Sequence, residues 1–420
     1  MKLNFMFFFY KKLPDTVKNQ FIFLFFLISL LILYTIFHPI PTEYHFIGIG
    51  SPILDIGDRD FYINNDGSGY GFGNIKGGII YPTILKAISK FTELLGIEKI
   101  NWVWNLLTVL MTSIISITNL LFIDKSAKNI FGNKTAEISN WLYVLCPYTT
   151  FYSLSGGITM YMMLGSCVST YLVSKSSLFK NNLNPNIIKT YIYLFLCILY
   201  LGLLRPTGSI YGLLLISILL IFTIKKINIG DFKIQKSTKY FIILLSSILT
   251  VICLYQLIEY SAYISFSIKS FSTEQGTFFG FSRQILRDKL IITNSLFESI
   301  KNILYLFLWR ISEFVGGLSD IRDTFRNTSD VSFFPFIIRV LTGLFYLYPL
   351  NLLAFVSFFV NRKRIFDSGL WIILFASFFA ISPSLLGVAN SRYLIMVFPP
   401  ILICAASLIN IFFKNNLVKV

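Results

Sequence analysis

Long apolar stretches, separated by shorter polar connections, follow one another along the whole chain. A helix needs about 20 mostly apolar residues to cross the ~30 Å hydrocarbon core of a bilayer. Ten stretches meet this condition: 21–37, 100–123, 137–154, 158–174, 190–204, 208–224, 240–258, 334–360, 368–386 and 393–413. The pattern therefore predicts an all-α, polytopic membrane protein with about 10 transmembrane helices.

Basic residues precede the first of these stretches. They are Lys2, Lys11, Lys12 and Lys18. No small-residue cleavage site follows the stretch, so residues 21–37 are predicted to be a retained signal anchor rather than a removed signal peptide. Residues 1–20 are then a cytoplasmic N-terminus.

The distribution of charge is a second indication of topology. With residues 1–20 in the cytoplasm the connections alternate in side, and the cytoplasmic ones hold 20 of the 36 Lys and Arg residues. They hold only four acids, which are Asp15, Asp124, Asp231 and Asp367. The other 16 basic and 16 acidic residues cancel, so the net charge of +16 lies on one side. The positive-inside rule then predicts a bacterial cytoplasmic (inner) membrane protein with both termini cytoplasmic, its charge facing anionic lipid rather than nucleic acid.

Composition disfavours the other broad classes. Only 13% of the residues are charged and 55% are hydrophobic, with a mean hydropathy of +0.70, whereas soluble domains carry roughly 25% charged residues. A soluble enzyme, a disordered chain and a fibrous repeat are therefore disfavoured. Low Ala with high Ile, Lys, Asn and Phe is typical of an AT-rich bacterial genome. The five cysteines all fall in predicted spans, without disulfide or zinc spacing, so they are expected to be packing residues.

Two long outer segments, about 38–99 and 259–333, contrast with the short basic connections on the other side. Long polar connections between spans are uncommon unless they form lids, sites or small subdomains. The predicted organisation is the N-terminus 1–20, a transmembrane module 21–258, the outer segment 259–333, and C-terminal helices with a short cytoplasmic tail at 334–420. The chemistry is expected at the outer face.

The first outer segment concentrates acidic residues, with Asp55, Asp58, Asp60 and Asp66 within twelve positions. Two interpretations are open for each: a turn-forming Asp in a solvated loop, or a carboxylate held beside the membrane as a general base. A Tyr-Pro dipeptide at Tyr81 follows, and proline is favoured in the first turn of a helix. Apolar residues at helical spacing after it predict a helix that lies in the membrane interface.

Arginines distinguish the remaining outer segments. Arg283 and Arg287 lie in the second long segment, and Arg205 and Arg392 lie on short turns. Guanidinium groups near a lipid surface suit phosphate recognition, but a single Arg at a span end also serves as an anchor to headgroups. The apolar stretch 302–319 is predicted to be an interfacial or re-entrant helix, because an eleventh span would place the basic run 362–364 outside.

Metal and nucleotide signatures are absent from the sequence. His38, Glu43 and His45 lie close together, but they lack the spacing of a recognised metal motif, so a structural role is favoured for them. The Gly-rich stretch 67–78 follows no buried strand and is interpreted as a loop rather than a dinucleotide site. No metal site is predicted.

Several short motifs occur in an order that belongs to a known superfamily. Asp58 precedes Tyr62 by four residues, with Arg59 where many members have a second acid. Further motifs are a Gly-Gly before Tyr-Pro at 77–82, Phe-Gly at 131–132, the Pro-aromatic run 146–153, Leu-Arg-Pro-Thr-Gly at 204–208 and Arg-Tyr at 392–393. Together they resemble the GT-C superfamily of integral-membrane glycosyltransferases, of the mannosyltransferase or aminoarabinose-transferase kind. The resemblance covers about 20–225 and, loosely, the last span.

The resemblance implies a polyprenyl-phosphate-linked sugar as donor and a glycan or lipid acceptor at the outer face. It implies Asp58 as the general base, with Asp60 second, and Asp55, Tyr62 and Tyr81 as further loop candidates. Candidates for the donor phosphate are Arg205, Arg392 and one of Arg283 or Arg287. Some members use a divalent ion, and the spacing of the three aspartates leaves that cofactor open.

Two other functions fit a polytopic protein of this kind. An O-antigen or exopolysaccharide polymerase or ligase also has large outer loops with arginines, but its main loop usually lies in the second half of the chain. A lipid-linked sugar flippase or transporter usually shows internal repeats and charged or broken helices at the bilayer midplane. The Asp-rich loop after the first span and the scarcity of mid-span charge favour the glycosyltransferase.

Overall fold

A computed structural model gives the fold of part of the chain. The residues it describes are 12–37, 80–96, 102–154, 157–176, 187–228, 240, 243–252, 254–255, 341–386 and 398–417. Every regular element within these ranges is helical, which confirms the all-α prediction for the described part.

Thirteen helices are named here in chain order. They are α1 Asp15–Phe37, α2 Ile80–Leu94, α3 Trp102–Phe131, α4 Asn133–Val144, α5 Pro147–Leu154, α6 Ile158–Lys175, α7 Ile187–Leu204, α8 Pro206–Asn228, α9 Ile243–Ile252, α10 Tyr348–Val360, α11 Arg362–Asp367, α12 Leu370–Leu386 and α13 Phe398–Leu417. A π-helical segment, Gly343–Leu347, leads directly into α10.

Two described helices are long and apolar enough to cross a membrane unaided: Leu106–Phe131 of α3, and Gly343–Val360. A third span results if α5 and α6, which meet at 119°, are counted together. The other apolar helices are shorter: Lys189–Leu204, Thr207–Ile221, Ile243–Ile252, Leu370–Ala380 and Phe398–Lys414. The helices thus indicate membrane association, while the number of ten spans stays a prediction.

Proline divides the predicted span 137–154 into α4 and α5. Pro147 has no N–H to donate to the carbonyl of Tyr143 four residues earlier, so α4 ends before it and α5 begins on it. The hydroxyl of Thr149 donates to that Tyr143 oxygen instead, at 2.6 Å. Likewise, Pro349 follows the π-helical segment, in which the Tyr348 N–H donates to the Gly343 carbonyl. The wider turn relieves the contact between a proline ring and the preceding turn.

Glycine makes two of the turns at one end of the bundle. Gly132 joins α3 to α4 with φ of 96°, and Gly369 joins α11 to α12 with φ of 74°. A side chain at such a φ is strained, so glycine suits both connections.

Tertiary hydrogen bonds fix which helix ends meet. Asn129 near the end of α3 donates to Ser174 near the end of α6, and Asn410 near the end of α13 donates to Thr135 at the start of α4. Ser357 and Asn361 at the end of α10 bond to Ser407. The end of α3, the start of α4 and the ends of α6, α10 and α13 therefore lie at one end of the bundle. The central element is α3, which contacts α1, α2, α4, α5 and α6.

Candidate functional site

Helix α2 is the described part of the first outer segment, and it begins where the Tyr-Pro dipeptide predicts. Leu85 is buried on its inner face, which packs on α3 and α7, while Phe91, Leu94 and Leu95 are exposed. The two halves of the predicted apolar stripe therefore have different surroundings. Its first half holds the helix against the bundle, and its second half is exposed. Placement in the membrane interface stays a prediction.

Three tyrosines from three helices meet beneath the start of α2, and we call Tyr81, Tyr161 and Tyr200 the tyrosine cluster. Tyr81 is only 1% exposed, and its ring meets that of Tyr161 edge to face, with centroids 5.7 Å apart. The hydroxyl of Tyr200 in α7 donates to the backbone oxygen of Tyr161 in α6 at 3.1 Å. The cluster therefore ties the first outer segment to α6 and α7.

Arg205 lies between α7 and α8, at the same end of α7 as Tyr200. Its N–H donates to the Leu201 oxygen at 3.1 Å, and its own oxygen accepts from the Gly208 N–H at 2.9 Å. Pro206 begins α8 immediately afterwards. The backbone of this half-buried Arg is thus held from both sides, at the end of the bundle that carries the tyrosine cluster.

The structure therefore brings two of the sequence-predicted candidates, Tyr81 and Arg205, to one end of the bundle. The other candidates lie outside the described residues: Asp55, Asp58, Asp60, Tyr62, Arg283, Arg287 and Arg392. The same holds for the two histidines and for 302–319. The general base, and the remaining arginines for phosphate, stay predictions.

Sequence reasoning missed Tyr161 and Tyr200. Each lies within a turn or so of a helix end, the position where tyrosine is enriched at a membrane–water interface. That positional preference is the signal that could have singled them out. The contact of Tyr161 with Tyr81, and that of Tyr200 with Tyr161, depend on how α2, α6 and α7 pack, which local sequence does not specify.

The opposite end of the bundle holds a buried carboxylate, that of Asp124, which the charge pattern of the sequence assigns to a cytoplasmic connection. Asp124 in α3 is 1% exposed and accepts hydrogen bonds from the Thr16 hydroxyl at 2.6 Å and the Asn140 amide at 2.9 Å. The same amide group donates to the backbone oxygen of Thr16 at 2.9 Å. A buried carboxylate must be hydrogen-bonded to be tolerated, and here its partners join α1, α3 and α4. We interpret Asp124 as a structural residue that links these three helices.

Asp15, the residue before Thr16, behaves differently. It is exposed and lies 2.5 Å from the ammonium group of Lys18. This hydrogen bond, with the charge of Lys18, lowers the pKa of the Asp15 carboxyl below its ordinary value. Water screens such an exposed pair, so it adds little to the stability of the fold.

A chain of hydroxyl groups crosses the interior between α3, α4 and α5. Ser116 and Tyr143 share a hydrogen bond of 2.8 Å, and Ser153 donates to Ser116 at 2.7 Å. Thr112 donates to the backbone oxygen of Ser153 at 2.7 Å. Such bonds between helices hold apolar spans together where no hydrophobic force acts between them.

The described residues contain no cluster of three or more His, Cys, Asp or Glu side chains that could hold a metal ion. Four cysteines are described, and each is buried with a free thiol, as packing residues would be: Cys146, Cys167, Cys197 and Cys404. The closely spaced aspartates that leave a divalent ion open lie outside the described ranges.

Comparison with known proteins adds no assignment. Neither a protein-family model nor a curated protein sequence matches the chain. Its function must therefore be argued from its own residues.

Proposed function

We propose that the chain is a GT-C-type membrane glycosyltransferase that moves a sugar from a polyprenyl-phosphate donor to an envelope glycan or lipid acceptor. The reaction takes place at the outer face of the cytoplasmic membrane. The proposal includes the topology of about 10 spans with both termini in the cytoplasm, and the site includes segments of the chain outside the described residues.

One observation carries the proposal. The Tyr-Pro and Arg-Pro-Thr-Gly motifs are far apart in sequence, yet Tyr81 and the turn at Arg205 lie at one end of the bundle, joined through Tyr161 and Tyr200. Motifs that belong to one site must converge in the fold, and these two do so. The lysine-rich connections are at the other end, so this end is the one expected to face outward.

The proposed reaction is a direct displacement at the anomeric carbon. Asp58, or Asp60 in its place, takes the proton from the acceptor hydroxyl, and the hydroxyl oxygen attacks the sugar from the face opposite the phosphate. The bond between the anomeric carbon and the phosphate oxygen breaks, and the electron pair leaves with the phosphate. The configuration inverts, and the transition state has oxocarbenium character.

Cations lower the barrier because the leaving phosphate gains negative charge. Arg205 is the described candidate, and Arg392 with Arg283 or Arg287 are candidates from sequence. A planar guanidinium suits this task, since it donates two parallel hydrogen bonds to phosphate oxygens. Where a divalent ion takes part, the carboxylates of Asp55, Asp58 and Asp60 are the ligands to expect.

The test is sugar transfer by purified protein in liposomes, supplied with defined polyprenyl-phosphate sugars and candidate acceptors. Wild type is compared with Asp58→Asn and Asp60→Asn, and Asp66→Asn is the matched control from the same loop. Loss of a general base lowers turnover by about 10²–10⁴-fold, so we expect that loss for Asp58→Asn and near wild-type turnover for Asp66→Asn.

Undiminished turnover in both Asp58→Asn and Asp60→Asn would remove the assigned base. Repeating the wild-type assay with a chelator and then with added Mg²⁺ or Mn²⁺ decides whether a divalent ion takes part. Movement of the intact donor across the liposome membrane, without sugar transfer, would favour the flippase instead.

A further inference from the structure

An apolar groove of about 440 Å³ lies on the exposed surface of the bundle, where α3, α6 and α7 meet. Its walls include Leu164, Val168 and Leu196, and Phe122 and Tyr171 line it where α3 and α6 approach the lysine-rich end. Leu196 is 52% exposed, so the groove opens outward from the bundle. We call it the acyl groove. Its volume falls in the usual range for ligand pockets, about 300–1,000 Å³.

Two ammonium groups stand at one end of the acyl groove. The Nζ atom of Lys175 lies 5.6 Å from the centre of the Tyr171 ring, and that of Lys125 lies 5.9 Å from the same ring. Lys125 also lies 5.8 Å from the ring of Phe122. Both rings line the groove, and these distances are those of cation–π contacts. Both ammonium groups are thus held at one end of the acyl groove.

No carboxylate within the described ranges neutralises these two lysines. The ion pairs of Lys18 with Asp15 and of Lys134 with Glu137 involve neither of them. Asp124, the neighbour of Lys125 in sequence, is buried against Thr16 and Asn140. Two exposed like charges beside one ring therefore have no anionic partner among the described residues, and an external anion would supply one.

From this arrangement we propose that an anionic phospholipid binds here, with one acyl chain in the acyl groove and its phosphate between Lys125 and Lys175. The lipid comes from the leaflet that borders the lysine-rich end. The groove has a shape that accommodates an acyl chain. The chain gains little binding free energy there, because it only exchanges contacts with other lipid tails for contacts with an equally apolar wall. Selectivity must therefore come from the charge of the headgroup. The site does not depend on the proposed glycosyl transfer.

The test is native mass spectrometry of the purified protein titrated separately with phosphatidylglycerol and with phosphatidylethanolamine. Wild type is expected to retain phosphatidylglycerol preferentially. A basic residue near an anionic lipid is worth about a fivefold factor in binding, so Lys125→Gln with Lys175→Gln should weaken phosphatidylglycerol binding by about 20-fold or more. Binding of phosphatidylethanolamine should hardly change.

Matched variants separate the site from general surface charge. Lys134→Gln with Lys414→Gln removes two lysines from the same end of the bundle, whereas the ammonium groups beside the groove rings of Phe122 and Tyr171 are those of Lys125 and Lys175. This pair should bind phosphatidylglycerol as wild type does. Leu196→Trp, which obstructs the groove, should lower retention of both lipids, whereas Leu352→Trp on an exposed part of α10 should not. Monodisperse elution confirms that each variant is folded.

Three results would overturn the proposal. They are unchanged phosphatidylglycerol binding by the Lys125/Lys175 variant, an equal loss in the Lys134/Lys414 variant, and stronger binding of a polyprenyl phosphate than of phosphatidylglycerol at this groove. The last result would assign the groove to the donor lipid instead.

Discussion

Arg205 shows how single residues place a charge at the end of a bundle. Pro206 cannot continue α7, so the chain turns at Arg205, and α8 starts with a residue that needs no N–H partner. The hydrogen bonds from Arg205 to Leu201 and from Gly208 to Arg205 then fix the turn. The Arg-Pro-Thr-Gly sequence thus forms the turn between the two helices, in addition to any role of the Arg205 side chain in binding a ligand. Substitutions of that side chain that leave the turn intact can separate the two roles.

We expect Arg205→Gln to lower kcat/KM for the polyprenyl-phosphate donor by about 10²–10³-fold, the usual cost of losing one donor to a developing anion. Arg205→Lys should lose less, because it keeps the charge but not the paired hydrogen bonds. Steady-state transfer kinetics in liposomes provide the measurement. Lys90→Gln, which removes an exposed charge from α2, is the control and should behave as wild type. Equal kinetics for Arg205→Gln and Lys90→Gln would contradict a phosphate role.

At the scale of the element, α7 and α8 form a hairpin of two closely packed helices. Glycines in α8 make the close approach possible, because a side chain at their positions would overlap α7. A Cβ atom on Gly208 would lie 2.1 Å from the backbone oxygen of Leu201, and one on Gly212 would lie 2.2 Å from Cγ2 of Ile198. The two glycines are four residues apart, the small-xxx-small spacing that lets membrane helices approach. Here the approach is between neighbours in the chain, so it shapes the turn at Arg205.

Substituting these glycines tests the packing. Gly212→Ala should cost about 1–3 kcal/mol in the free energy of unfolding, as overpacking does, and Gly208→Ala more, because a backbone oxygen cannot move aside as a side chain can. Ile198→Ala removes the obstructing methyl group at a cost of its own, since Ile198 is buried. The double variant should therefore lose less than the sum of Gly212→Ala and Ile198→Ala. Thermal unfolding in detergent measures this, and strict additivity would show that the contact is absent.

Local signals explain which elements the sequence could predict. The start of α2 at the Tyr-Pro dipeptide and the stop of α7 before Pro206 depend on residues within one turn, so both were predicted. The division of 137–154 at Pro147 was missed because the apolar run continues across it. The burial of Asp124 was missed for a different reason: it needs Thr16 and Asn140 from two other helices. Of the candidate site, only Tyr81 and Arg205 lie within the described residues.

At the scale of the whole molecule, the two ends of the bundle differ in chemistry. The tyrosine cluster and Arg205 mark one end. Exposed basic residues mark the other, where α3 ends and α4 begins, where α6 ends, and along α11. These are Lys125, Lys128, Lys134, Lys175, Arg362, Lys363 and Arg364. Tertiary contacts such as Asn129 with Ser174 keep the basic ends together, so the asymmetry of charge belongs to the fold as well as to the sequence.

Sidedness follows from this asymmetry and can be measured directly. The positive-inside rule places the lysine-rich end in the cytoplasm, so a cysteine at Ser68, in the Asp-rich loop, should react with a membrane-impermeant maleimide in intact spheroplasts. A cysteine at Ser177, in the connection after α6, should react only after permeabilisation. The four described native cysteines are buried, and wild-type protein gives the background. Labelling of Ser177→Cys but not Ser68→Cys in intact cells would put the aspartates in the cytoplasm, where they could not meet an outward-facing donor.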